Sequence, residues 1–263
     1  MNETIITSAQ NPRIKELLSL SSKSSERRKS GLFVIEGARE CSAAAKASFE
    51  FHSLYIVPGM SGETMCESFK AEHIHKVSAD LYQKIAYRGT TEGIIAIARA
   101  KEMKLRDVKL SDNPLIILLE AIEKPGNLGA VLRTADAAMA DAVIVCDPLT
   151  DLFNPNIIRS SLGGIFTNQV VSCTSEEAYK WLKENKISIF TAELQASEWY
   201  HLSDMRSPMA IVMGTEAEGL KEFWRERADK RIKIPMRGEL DSLNVSVSTA
   251  IICFEALRQR NFK

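Results

Sequence analysis

The chain has 263 residues, with 34 Lys plus Arg exactly balanced by 34 Asp plus Glu, so no general attraction to a polyanion is written into its net charge. A hydrophobic share of 45 % excludes a disordered chain and supplies one large core or two ordinary ones. Five scattered cysteines, Cys41, Cys66, Cys146, Cys173 and Cys253, exclude a disulfide framework or paired zinc spacing and read as reduced thiols of a cytoplasmic protein. The opening MNETIITSAQNPRIK lacks a leader pattern, and no apolar run approaches the ~20 residues of a membrane span.

In chain order, the first segment is basic, with Arg13, Lys15, Lys23, Arg27, Arg28 and Lys29 against Glu16 and Glu26. Strand LFVIEG, helix ARECSAAAKAS and strand FHSLYIVPG follow. Helix ETMCESFKAE, strand HIHKVS, helix ADLYQKIAYR and strand GIIAIARA complete the first series. Such alternation predicts a mainly parallel, helix-covered sheet. The charged stretch 101–114, ending in Asn-Pro, reads as a linker, which divides the chain into 1–103, a linker at 104–112, and 113–263.

The second series has stronger strands at 115–122, 142–147, 187–194, 209–216 and 231–236. Helices are expected near 127–139, 155–162, 176–185, 218–227 and 245–260. Continuous apolar strands imply a sheet covered on both faces, and ligands in such folds bind beyond the carboxyl ends of the strands. Polar residues gather there in three loops. EKPGNLGAVLRTADAA places Asn127 as a helix cap and Arg133 about two turns in. GTEAEGL places Gly214 at a close approach and Glu216 at a helix entrance. PMRGELDSLN holds Met236, Gly238, Ser242, Leu243 and Asn244. Each loop alone reads as capping, since Ser, Asn and carboxylates satisfy a first helical turn. Three at one end of one sheet are poorly explained by capping alone.

The motifs NLGAVLRTADAA, IVMGTEAEGL and IKIPMRGELDSLNVSVSTA, in that order, resemble the SpoU/TrmH family of RNA 2′-O-ribose methyltransferases across 115–260. Met139 departs from the pattern, standing where a glycine often ends the first motif. The resemblance implies a SPOUT-type α/β parallel sheet with a deep trefoil knot. Before it would lie a smaller α/β RNA-binding domain resembling ribosomal proteins. It implies a homodimer through the C-terminal domain, S-adenosyl-L-methionine as cofactor and RNA, above all ribosomal RNA, as substrate. Catalytic positions carry over as Asn127, Arg133, Glu216, Ser242 and Asn244. Cofactor positions carry over as Gly214, Ile234 and Leu243, with Met236 giving apolar contact and Thr191 a further candidate. Arginine stays protonated in proteins, so Arg133 suits phosphate clamping and stabilisation of a developing oxyanion better than proton abstraction.

Transfer RNA remains an alternative substrate, and a non-catalytic RNA-binding protein an alternative function. A nicotinamide dehydrogenase lacks its G-x-G-x-x-G after the first strand of either half. His73 and His75 share one strand face, but no third ligand is apparent in the sequence, so neither a metal nor a membrane partner is expected.

Overall fold

A computed structural model describes residues 5–87, 92–195, 198–215 and 218–262. Its contacts divide the chain into two units. One is Met1–Lys101 with Asp151–Thr167, the other Glu102–Thr150 with Asn168–Lys263.

The first unit is built on strands β1 (Leu32–Glu36), β2 (Phe51–Ile56), β3 (Ala71–Lys76) and β4 (Ile94–Arg99), in the order β1-β4-β2-β3. The sheet is mixed, not mainly parallel: β4 inserts antiparallel between β1 and β2, and only β2 and β3 run parallel. Helices α1 (Pro12–Ser22) and α5 (Ala79–Ile85) bury Ile14, Leu17, Leu81 and Ile85 on the face that carries Val34, Tyr55, Ile95 and Ile97. Helices α2 (Ser24–Ser30), α3 (Ala38–Lys46) and α4 (Ser61–Cys66) complete the first stretch; α4 is shorter than its sequence pattern, because β3 already begins at Ala71.

Residues 151–167, expected in the second domain, pack with the first unit and include α7 (Pro155–Ser160) and α8 (Gly164–Thr167). Aromatic packing holds them: Phe153 stacks on Phe33 at 4.4 Å between centroids, and Phe166 meets Phe49 edge-on at 5.1 Å. Arg27 reinforces this attachment. Only 5 % exposed, it bonds Asp151 Oδ2 at 2.5 Å and the Leu20 carbonyl at 2.6 Å, so it belongs to the interior of the unit, whereas Arg28 and Lys29 are exposed.

The second unit holds a seven-stranded sheet of β5 (Leu115–Glu120), β6 (Ala142–Cys146), β7 (Val170–Cys173), β8 (Ser188–Ala192), β9 (Glu198–Trp199), β10 (Met209–Met213) and β11 (Lys230–Lys233). Its order is β7-β6-β5-β10-β8-β11-β9, with every pair parallel. Strands β7 and β9, only four and two residues long, escaped the sequence reading. Helices α9 (Ser175–Glu184) and α10 (Glu222–Arg227) contribute Ala178, Leu182 and Trp224 to the core on one face; α6 (Pro125–Ala137) and α11 (Val245–Gln259) pack together and against β6 and β10. The expected linker is part of this unit. Leu105, Val108 and Leu110 pack on its core, while the Lys109 and Ser111 N–H groups donate to Gln169 and Asp141. Met139 follows the end of α6 with φ +48°, in the left-handed region where glycine is usual. No helix among the described residues is long and apolar enough to cross a membrane.

Candidate active site

Because β10, β8 and β11 are adjacent and parallel, their carboxyl ends open on one edge of the sheet. There the segments after them enclose a cavity of about 530 Å³, within the range of small-molecule sites. Ala192–Gln195 form one wall and Met213–Thr215 with Glu218–Leu220 a second. Ile234, Met236 and Asp241–Asn244 form the third, closed by Val245, Ser248 and Ile252 of α11. Four of the five expected cofactor positions, Gly214, Ile234, Met236 and Leu243, therefore line one cavity. Thr191 does not. It is fully buried one residue before the wall, and its hydroxyl donates to Glu193 Oε1 at 3.0 Å.

Gly214 is required by close approach. A Cβ there would stand 2.2 Å from the Gly219 carbonyl carbon and 2.3 Å from the Leu220 nitrogen. Thr215 and Gly219 exchange two backbone hydrogen bonds of 3.1 Å, which hold the loop folded back on itself. Glu120, at the end of β5, fastens its far side by accepting the Lys221 N–H at 2.8 Å. Burial pushes the Glu120 carboxyl above the usual carboxylate range, against the smaller lowering effect of that hydrogen bond.

The polar positions divide similarly. Asn244 is the N-cap of α11, its Oδ1 accepting the Ser246 N–H at 2.9 Å, and its Nδ2 donates to Asn127 Oδ1 at 3.1 Å. The two motifs thus meet across 117 residues of chain. Asn127 is not a cap: Pro125 sets the first turn of α6 and Lys124 precedes it, so Asn127 lies inside the helix with its side chain directed to Asn244. Ser242 lines the cavity and donates to Asp241 Oδ1 at 3.0 Å instead of capping. Arg133 is exposed on α6 and, among the described residues, makes no hydrogen bond or ion pair. Glu216 lies outside the described residues.

Charged groups in the wall were not anticipated, Glu193 and Arg225 first among them. The Glu193 side chain, 4 % exposed, takes a two-pronged contact from Arg231 at 2.6 and 2.8 Å. Arg225, also in the wall, has a buried Nε that stands 3.7 Å from the same carboxylate, beyond hydrogen-bond reach. The available signal was position: Glu193 follows the end of an apolar strand directly, as Gly214 does.

Residues 114–254 match the model of the SpoU rRNA methylase family, and 11–96 match the MRM3-like substrate-binding domain. The chain is 30 % identical to the 23S rRNA (guanosine(2553)-2′-O)-methyltransferase RlmP of Bacillus subtilis, over 95 % of this chain and 97 % of that protein. A crystal structure of an RNA 2′-O ribose methyltransferase shares 39 % identity with a TM-score of 0.85, covering 98 % of this chain and all of the other. The AdoMet-bound rRNA methyltransferase from Sinorhizobium meliloti shares 26 % identity with a TM-score of 0.88, covering 97 % of each chain.

Proposed function

The chain belongs to the SpoU rRNA methylase family, and on that premise we propose that it transfers a methyl group from S-adenosylmethionine to a ribose 2′-hydroxyl of large-subunit ribosomal RNA, at a guanosine. The observation that carries this reading is the convergence of Gly214, Ile234, Met236 and Leu243 on one cavity whose rim holds Ser242 and the linked pair Asn244–Asn127. The cavity suits the cofactor: backbone groups of tightly folded loops meet an adenine edge, and Ile234, Met236 and Leu243 supply apolar contact.

The reaction is an in-line displacement. The 2′-oxygen forms a bond to the methyl carbon as the sulfonium–methyl bond breaks, leaving S-adenosylhomocysteine, and the hydroxyl proton departs. Asn127, Asn244 and Ser242 orient the ribose. Arg133, uncommitted among the described residues, clamps an RNA phosphate and stabilises negative charge on the attacking oxygen. Glu216 completes the set in this reading. The cofactor loops are those of the trefoil knot, the first unit is the RNA-binding domain, and the enzyme works in the cytoplasm.

A homodimer forms through α11. Its inner face buries Thr249, Ile252 and Ala256, while Val247 and Phe254, seven residues apart, are 47 % and 44 % exposed with Ile251 between them. A helix apolar on both sides calls for a cover on both, and a second copy supplies it here.

The experiment that tests the activity combines turnover on ribosomal RNA with calorimetry of S-adenosylhomocysteine. Arg133→Ala is expected to lower turnover by ~10²-fold or more while cofactor affinity holds. Arg133→Lys should fail nearly as badly, because lysine lacks the planar fork. Wild-type turnover by Arg133→Ala would remove the central catalytic assignment. A map of 2′-O-methylation with and without the gene identifies the nucleotide; no change in ribosomal RNA overturns the substrate.

A further inference from the structure

Three of the four histidines of the chain, His52, His73 and His75, gather on β2 and β3 of the first unit, remote in sequence from every motif used above. Alternation along β3 gives His73 and His75 one face, but the group that comes together takes only His73 of that pair and adds His52 from the next strand and Glu72. Strands β2 and β3 pair in parallel register, Phe51 opposite Ala71 and Ser53 opposite His73. Against β4 the register of β2 shifts between Phe51 and Ser53, so His52 is the extra residue of a bulge. Bulges re-aim a side chain, and here the His52 ring meets the His73 ring edge-on, with centroids 5.4 Å apart. Glu72 joins them: one ligand atom from each of His52, Glu72 and His73 lies within 4.8 Å of the other two.

Two further contacts hold this trio ready. Ser53 Oγ stands 2.8 Å from His52 Nδ1 and fixes that imidazole, as an outer partner does for a metal-bound histidine. Arg99 makes both of its contacts to Glu72, 2.7 and 3.2 Å, on Oε1, which orients the carboxylate while leaving Oε2 open. The geometry points to a site for one borderline divalent cation, of the Zn²⁺ or Cu²⁺ class, held by His52, His73 and Glu72 on the face of the substrate-binding domain. Two imidazoles and one carboxylate select such ions over Mg²⁺ and Ca²⁺, which prefer all-oxygen shells. Three protein ligands leave the remaining coordination positions to water or to a donor atom of a bound molecule.

The test uses untagged full-length protein stripped by chelator and dialysed. Zn²⁺ titration by calorimetry should give one site per chain with micromolar affinity, and Cu²⁺ bound at one equivalent should show hyperfine splitting from two imidazole nitrogens in its paramagnetic resonance spectrum. His52→Ala, His73→Ala and Glu72→Gln should each weaken Zn²⁺ at least tenfold. His201→Ala, the one histidine outside β2 and β3, should bind as wild type does. Absence of saturable Zn²⁺ binding, or wild-type affinity in any of the three variants, overturns the site. So does an equal loss in His201→Ala. The Cu²⁺ spectrum, recorded on the unmutated protein, decides independently of whether a variant folds: one nitrogen or none overturns the assignment.

Discussion

Replacing Gly214 with alanine adds one carbon, and the structure specifies what that carbon would meet. Three backbone atoms, the Gly219 carbonyl carbon and oxygen and the Leu220 nitrogen, would lie 2.2 to 2.4 Å away, more than an ångström inside ordinary contact at 3.4 Å. No rotamer change relieves the clash, since nothing in it is a side chain. The loop must move outward, and the first bonds to yield are the two between Thr215 and Gly219. Losing them costs about 1 kcal/mol each, and overpacking adds roughly 1–3 kcal/mol, for a total near 3–5 kcal/mol. The same movement opens one wall of the cavity. Gly214→Ala is therefore expected to melt well below wild type and to lose S-adenosylhomocysteine binding in calorimetry. Gly219→Ala is the comparison. Its φ of +69° strains an alanine by about 1 kcal/mol, but its Cβ would meet only Arg225 Nη2, at 3.6 Å. It should retain measurable binding. Wild-type cofactor affinity in Gly214→Ala, with an unchanged melting curve, would refute both the crowding argument and the location of the cofactor.

Arg27→Met should destabilise the first unit by about 3 kcal/mol, because the partly buried Asp151 carboxylate loses its ion-pair partner and keeps only the Phe153 N–H; urea unfolding within 1 kcal/mol of wild type would contradict this. Charge reversal of the exposed Arg28 and Lys29 should instead flatten the salt dependence of RNA binding by roughly one unit of slope per lost phosphate contact, with stability unchanged, and an unaltered slope would make them a merely solvated face. For Glu120, burial raises the folded-state pKa, so the native chain holds this proton more tightly than the unfolded one. The resulting stabilisation is present at acid pH and is lost as pH rises through the raised value, above the ordinary carboxylate pKa of about 4.3. Glu120→Gln should then be more stable than wild type at pH 8, by a margin that shrinks on acidification; an equal margin at pH 5 would exclude this cause. Phe254→Glu on the outer face of α11 should shift sedimentation from dimer to monomer, and a monomeric wild type would refute the interface.

Much of the second unit was legible because its strands are apolar on both faces, a pattern set by local sequence. The wall residues after β8 and β10 could be located for the same reason, since they follow strand ends directly. What escaped depends on partners distant in the chain. Nothing around Phe153 and Phe166 announces that they pack on Phe33 and Phe49, so the contacts of 151–167 with the first unit were not foreseen. The placement of β4 between β1 and β2 is likewise a nonlocal pairing, invisible to alternation. Arg27 reads as one more member of a basic run in the sequence, because its partly buried partner Asp151 lies 124 residues away. Asn127 was misread for a local reason: an Asn near a helix start normally caps it, but Pro125 had already fixed where the helix begins.

The bond between Asn127 and Asn244 also orders events during synthesis. Its first partner leaves the peptidyl-transferase centre 117 residues before its second. At about 5–20 residues per second that interval is roughly 6–23 s. Throughout it, the nascent chain lacks α11 and with it the end wall of the cavity, and residues 151–167 of the first unit are themselves still to be made when it begins. Competence at this site therefore arrives with the last helix, all at once, and a chain released before Val245 would be able to occupy RNA without being able to modify it.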